Sequence, residues 1–171
     1  FVDEFSGRLF LGDEEVGEEH DLEITLWLQR AYSWRMGREL VAAGIRAVGL
    51  EQRVDRLREH VLAPQWDGVG RVNRFAVTHL GAEPVAHHLA AGRVLLLSMV
   101  ARALIPGCKC DTMVILEGRQ GTFKSTAVRV LGGPYFAELN ATLGTKEASE
   151  QVEGAWVVEA GELDALTRAE L

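Results

Sequence analysis

Gly118-Arg119-Gln120-Gly121-Thr122-Phe123-Lys124-Ser125-Thr126 is the stretch whose reading decides the fold. It follows an apolar run, Thr112-Met113-Val114-Ile115-Leu116, that reads as a buried strand, and it opens a helix-like segment. Strand, glycine loop and helix in that order make a site for phosphate groups. Glycines let successive backbone N–H groups turn toward an anion, and the helix presents its positive end to the same point. Lys124 is placed to reach the β- and γ-phosphates, and the Ser125 hydroxyl to hold Mg²⁺. The expected ligands are therefore ATP and Mg²⁺, with Gly118, Arg119, Gln120, Gly121, Thr122, Phe123, Lys124, Ser125 and Thr126 around the nucleotide. Phe123 departs from the usual pattern, which has glycine before the lysine; Gly121 is expected to supply the flexibility instead. The alternative reading is a glycine turn between strand and helix that carries a surface lysine.

Working outward, a second apolar run, Ala155-Trp156-Val157-Val158, ends in Glu159. A strand ending in an acid forms the other half of such a site, and it is expected beside the Thr112–Leu116 strand, with Glu159 on the metal. Glu162 follows at the strand-to-helix corner, where it could polarise an attacking water. Glu159, Glu162 and Lys124 are thus the candidate catalytic residues, and Ser125 and Glu159 the candidate metal ligands. The other reading of Glu162, with Asp164 and Glu170, is a solvated helix face.

The rest of the chain reads as a mostly helical front part. Residues 1–12 could hold one or two strands, and 13–20 an acidic loop. Helices are expected over Asp21 to Tyr32 with Asp21 as N-cap, Trp34 to Val48, Leu50 to Val61, Val72 to Leu80, and Pro84 to Ile105. The last is expected to be buried. Trp66-Asp67-Gly68 reads as a turn, Tyr135 to Leu139 as a strand, and 162–171 as helical. The domains are expected at 1–109, helical, and 110–171, the opening of an α/β part.

The 171 residues are 47% apolar and 25% charged, which excludes disorder, collagen and a disulfide scaffold. The net charge of −7 is uneven: residues 1–60 carry 13 acids and 8 bases, 61–137 carry 4 and 8, and 138–171 carry 8 and 2. The basic middle block holds the glycine loop and suits a polyanion, whereas the overall acidity argues against strong non-specific DNA binding. Cys108 and Cys110 fit a reducing compartment better than a bridge, so a cytoplasmic protein is expected. Their spacing does not match a zinc site. His87 and His88, being adjacent, are expected to face different sides of a helix. Trp27, Trp34, Trp66 and Trp156 are expected in the core. The apolar run Val94 to Val100 is far shorter than the ~20 residues that span a bilayer. The chain opens on Phe1 and closes on Leu171 within a helix-like stretch, the pattern of a piece of a longer polypeptide.

Several stretches together resemble the virulence-associated protein E family. They are Trp66-Asp67-Gly68-Val69 with Arg71, Arg102 through Met113 (RALIPGCKCDTM), Gly118 to Gly121 with Lys124-Ser125, Lys146-Glu147, Gly154-Ala155-Trp156, and Glu159 through Leu163 (EAGEL). The resemblance covers roughly residues 60–171. It implies a P-loop ATPase related to superfamily 3 helicases within the AAA+ group, encoded by phages and mobile elements and supporting their replication. Lys124 and Ser125 then correspond to the Walker A lysine and Mg²⁺ ligand, and Glu159 to the Walker B acid. A sensor residue and an arginine finger are expected beyond Leu171. The resemblance also implies DNA as a partner of the full-length protein and a homo-oligomeric ring.

The expected fold class is α/β: a helical N-terminal part, then the opening of a P-loop, AAA+-like parallel sheet with flanking helices. The leading function is an ATP-hydrolysing, helicase-type ATPase. A nucleotide-dependent assembly module without turnover and a P-loop small-molecule kinase are the alternatives.

Overall fold

The computed structural model describes residues 1–161, so Glu162 and the expected helix over 162–171 lie outside the described residues. The chain divides into two units, Phe1–Glu59 and His60–Leu171.

In the first unit, β1 (Val2–Asp3) pairs in parallel with β4 (Arg53–Val54), and β2 (Phe10–Leu11) pairs antiparallel with β3 (Glu14–Glu15). Two helices follow the hairpin, α1 (Glu18–Tyr32) and α2 (Arg38–Glu51). Helix α1 starts three residues before the expected Asp21: Gly17 is the N-cap, and its N–H donates to Nδ1 of His20 at 3.1 Å. Asp21 sits in the first turn with Glu18 and Glu19, where carboxylates also complement the helix dipole. The helix expected from Leu50 to Val61 is broken. Leu50 ends α2, Arg53–Val54 form β4, and α3 begins only at Arg56 and runs to Leu62. Pairing with β1 outweighs the helical periodicity there. Asp3 is fully buried, and this helps fix the junction. Its carboxyl oxygens accept the N–H of Arg56 at 3.2 Å and that of Ser6 at 3.1 Å, so the buried polar group is hydrogen-bonded on both oxygens.

The second unit begins with helices. A 3-10 turn (Val72–Arg74) leads into α4 (Phe75–Leu80), followed by α5 (Ala86–Leu104). Pro84 stands ahead of α5, whose N-cap is Val85. Helices α4 and α5 meet through Gly92: a Cβ there would lie 2.7 Å from the Ala76 Cβ and 2.9 Å from the Ala76 nitrogen. Gly92, Met99 and Ala103 are buried, but Val94, Leu97 and Val100 are exposed, so α5 shows one face to solvent instead of being buried all round.

The remaining elements are α6 (Lys124–Gly132), a 3-10 turn (Gly133–Tyr135), β5 (Phe136–Leu139), α7 (Lys146–Val152) and β6 (Val157–Ala160). β5 and β6 pair in parallel, Phe136 opposite Val157 through Leu139 opposite Ala160, with α7 in the crossover. Thr145 caps α7, its hydroxyl accepting the Ala148 N–H at 3.2 Å. Leu139, Ala148 and Val157 are buried between these elements. The class is thus mixed α/β, with helices and small parallel sheets.

The strand expected ahead of the glycine loop is absent. Thr112–Leu116 forms no strand, and Met113 and Ile115 are 60% and 53% exposed. Among the described residues, β6 pairs with β5 alone and not with this run. An apolar run states a need for burial, but a strand also needs a neighbour offering a ladder of N–H and C=O groups.

The tryptophans also depart from expectation. Trp27, Trp34 and Trp66 are 57%, 52% and 80% exposed. Trp156 is half-buried, and its indole N–H donates to the Met99 carbonyl at 2.8 Å, tying the entry of β6 to α5. Among the described residues no helix is long and apolar enough to cross a membrane.

Candidate functional site

The glycine stretch folds as a loop that ends on α6. Gly121 has φ 82°, a left-handed conformation open to glycine, as its position in the sequence requires. Phe123 is left-handed too, with φ 60° and ψ 27°, and it is the N-cap of α6. This gives the physical reason why glycine is usual before the lysine: at that point the backbone adopts a conformation that costs an L-residue about 1–2 kcal/mol. The Phe123 ring stands 76% exposed.

Lys124 folds back over the loop. Its ammonium donates to the carbonyl oxygens of Gly118 at 2.8 Å and Arg119 at 3.0 Å, and the Thr122 hydroxyl donates to the same Arg119 oxygen at 2.8 Å. Ser125 and Thr126 lie exposed in the first turn of α6, where backbone N–H groups have no carbonyl one turn earlier in the helix. Arg119, Lys124 and Arg129 are the only charged residues from Gly118 to Ala137, so the loop and α6 carry no carboxylate.

The direction of α6 follows from three contacts. A Cβ on Gly132 would lie 2.9 Å from that of Phe136 and 3.0 Å from that of Val157, so the helix end rests on the first residues of β5 and β6. Arg129, earlier in the helix, lies over the Phe136 ring at 5.2 Å and reaches Glu138 at 3.9 Å, farther along β5. Helix α6 therefore runs antiparallel to both strands. Its nine residues span about 14 Å at the usual rise, close to the length of the strands. Its N-terminus thus lies toward the carboxyl ends of β5 and β6. Glu159, half-buried, is the third residue of β6, opposite Glu138. Lys124 and Ser125 stand at the start of α6 and Glu159 in β6, with no hydrogen bond or ion pair joining them among the described residues. Glu162 lies outside the described residues.

A residue that sequence reasoning passed over works at the same end of the layer. The Gln151 side-chain oxygen accepts the N–H groups of Asn140 at 3.0 Å and Ala141 at 3.1 Å, closing the carboxyl end of β5 against α7. Lys146 pairs with Glu150 one turn on at 3.0 Å, an exposed i,i+4 pair.

Two other stretches quoted above form local turns. Arg71 grips Asp67 with two nitrogens, at 2.7 and 2.8 Å, while Asp67 accepts the Val69 N–H at 3.0 Å and the Trp66 indole donates to the Val69 carbonyl at 3.3 Å. The Arg71 guanidinium, first, and the Val69 N–H hold the Asp67 carboxyl below its ordinary value. Arg102 donates to the Cys108 carbonyl at 2.9 Å and secures the turn after α5. Cys110 is exposed, and its thiol is lowered by the backbone and then the hydroxyl of Thr112. Both cysteines are free thiols, and no group of three or more potential metal ligands occurs among the described residues.

Residues 59–171 match the family model of the virulence-associated protein E-like domain. The chain belongs to this family. All the stretches that carry the resemblance fall inside the virulence-associated protein E-like match, while residues 1–58 lie outside it. No curated protein matches the chain.

Proposed function

We propose that the chain carries the nucleotide site of a P-loop, helicase-type ATPase that serves the replication of phage or mobile-element DNA. What supports this reading is the glycine loop running into α6 at Lys124 and Ser125, with the end of α6 packed on β5 and β6, the strand that carries Glu159. Ligands of parallel α/β layers bind at the carboxyl ends of the strands. Membership of the virulence-associated protein E-like family supports the link to mobile elements.

In this reading the loop N–H groups and the first turn of α6 receive the phosphates, and Lys124 exchanges two carbonyl oxygens for phosphate oxygens. The Ser125 hydroxyl and Glu159 carboxylate are hard oxygen donors, which suit Mg²⁺. Mg²⁺ would neutralise charge on the β- and γ-oxygens as the terminal bond breaks. Glu162 would polarise the attacking water, with Glu159 on the metal. DNA and further copies of the chain, arranged as a ring, are the proposed partners of the full-length protein.

The test is calorimetric titration of Mg-ATP into the native chain, Lys124→Ala and Ser125→Ala, with phosphate release followed in parallel. Binding by the native chain that weakens at least about tenfold in both variants is expected. Equal binding by all three, or none by any, overturns the reading. Binding without phosphate release would make the chain an assembly module, and transfer to a small acceptor would make it a kinase.

A further inference from the structure

The corner between α1 and α2 is built from side chains that neither the nucleotide loop nor the family match accounts for. Trp27, Tyr32 and Trp34 are 57%, 55% and 52% exposed, yet they touch one another. Tyr32 and Trp34 lie 5.3 Å apart and tilted by 33°, and Trp27 meets Tyr32 edge-on at 5.6 Å. Three large rings left in water at one corner are not explained by packing within their unit. The corner is also held in shape. Ser33 caps α1 in a left-handed conformation, and Gln29 donates across the turn to the Met36 carbonyl at 3.2 Å. Gln29, Ser33, Trp34, Arg35, Met36 and Gly37 line a shallow, open cleft of about 550 Å³.

The charge points to the ligand. Residues 1–60 are acidic, but 24–38 contain Arg30, Arg35 and Arg38 and no Asp or Glu. Arg30 and Arg35 are exposed and make no ion pair among the described residues, while Arg38 pairs with Glu18 at 3.0 Å. Flat apolar faces flanked by cations match a ligand that alternates flat rings with anions. We infer that the α1–α2 corner binds single-stranded nucleic acid. A base stacks on Trp34 beside Tyr32, Trp27 buttresses Tyr32 from its edge, and Arg30 and Arg35 meet the flanking phosphates. Gln29 lines the cleft with its side-chain nitrogen engaged by the Met36 carbonyl, which leaves its oxygen as the acceptor for a base edge. The rings favour an unpaired strand over a duplex, because paired bases keep their faces inside the stack.

The inference is independent of the nucleotide site, so it is tested in EDTA without nucleotide. A fluorescein-labelled oligo-dT of about 16 residues is titrated with the 171-residue chain in low salt, following anisotropy and tryptophan emission. Saturable binding with quenching is expected. Trp34→Ala and Tyr32→Ala should each weaken it at least about fivefold, and Trp34→Phe should keep most of it. Arg35→Gln should reduce the salt slope by about one contact while leaving the rings in place. Circular dichroism and unfolding curves verify that each variant folds. Equal binding by native chain and Trp34→Ala overturns the inference, and so does no saturable binding below about 100 μM. Self-association that Trp34→Ala abolishes, with no oligonucleotide bound, overturns it in favour of a protein interface.

Discussion

Gly132→Ala tests the seat of α6 on the strands. Gly132 has ordinary helical angles, φ −77° and ψ −24°, so alanine meets no backbone strain there. By helix propensity alone the change would stabilise by up to about 1 kcal/mol. Against this, the new methyl would lie 2.9 Å from the Phe136 Cβ and 3.0 Å from the Val157 Cβ. Both atoms are fixed to strand backbone and cannot swing aside, so α6 must lift by roughly the shortfall from a 3.5–4.0 Å carbon contact. Overpacking of this kind costs about 1–3 kcal/mol. The net expectation is a loss of about 1–2 kcal/mol, or a fall in Tm of about 2–8 °C for a chain of this length. Thermal unfolding by circular dichroism reads it, and peptide-resolved hydrogen exchange should place the loosening in α6, β5 and β6. Gly44→Ala supplies the opposite sign. Gly44 lies inside α2 with nothing within 4 Å of an added Cβ, so that change should stabilise its unit by about 0.4–1 kcal/mol. A Gly132→Ala protein as stable as the native chain would refute the close helix-on-strand approach.

Two further predictions concern the loop and the thiol. Phe123→Gly should leave stability within about 1 kcal/mol of native, because relief of the left-handed strain offsets the added freedom of the unfolded chain. Phe123→Val should be clearly worse in urea unfolding, since a β-branched residue tolerates that conformation least; equal stability of the two would contradict the geometry at φ 60°. Cys110 should react with iodoacetamide faster than Cys108 near neutral pH. Its lowered value leaves more thiolate there, so its rate should begin to fall at a lower pH than that of an ordinary thiol. Thr112→Val removes the hydroxyl contribution and should shift the rate profile to higher pH; peptide mass spectrometry showing Cys108 the faster would sink this reading.

The loop-and-helix half of the candidate site was legible in the sequence because its signals are local. Glycines, Lys124-Ser125 and the helical stretch after them constrain only the backbone that carries them. The helices α1, α2 and α5 were legible for the same reason, within a few residues at their ends. What failed was non-local. The Thr112–Leu116 run has the composition of a strand, but pairing depends on what lies alongside, and β5 takes the place beside β6. Leu50, Val54, Leu57 and Val61 keep helical spacing, yet Arg53–Val54 pair with β1 from the far end of their unit. Tryptophan content suggested core, but whether a ring is covered depends on the layer above it, and Trp34 and Trp66 stand in turns. Gln151 gave no signal at all, since its two hydrogen bonds depend on how α7 meets the end of β5.

Under the proposed function Lys124 would have a double duty with a mechanical consequence. Its ammonium is the strap that holds the Gly118 and Arg119 carbonyls against the start of α6. An anion that takes the ammonium undoes the strap, leaving the Thr122 hydroxyl alone on Arg119. If the loop receives phosphate as proposed, capture and release would be one exchange, the segment leading into the loop slackening as it fills and tightening as it empties. Neutralising Lys124 removes the bait and the strap together, and a chain so altered should keep the slack segment permanently.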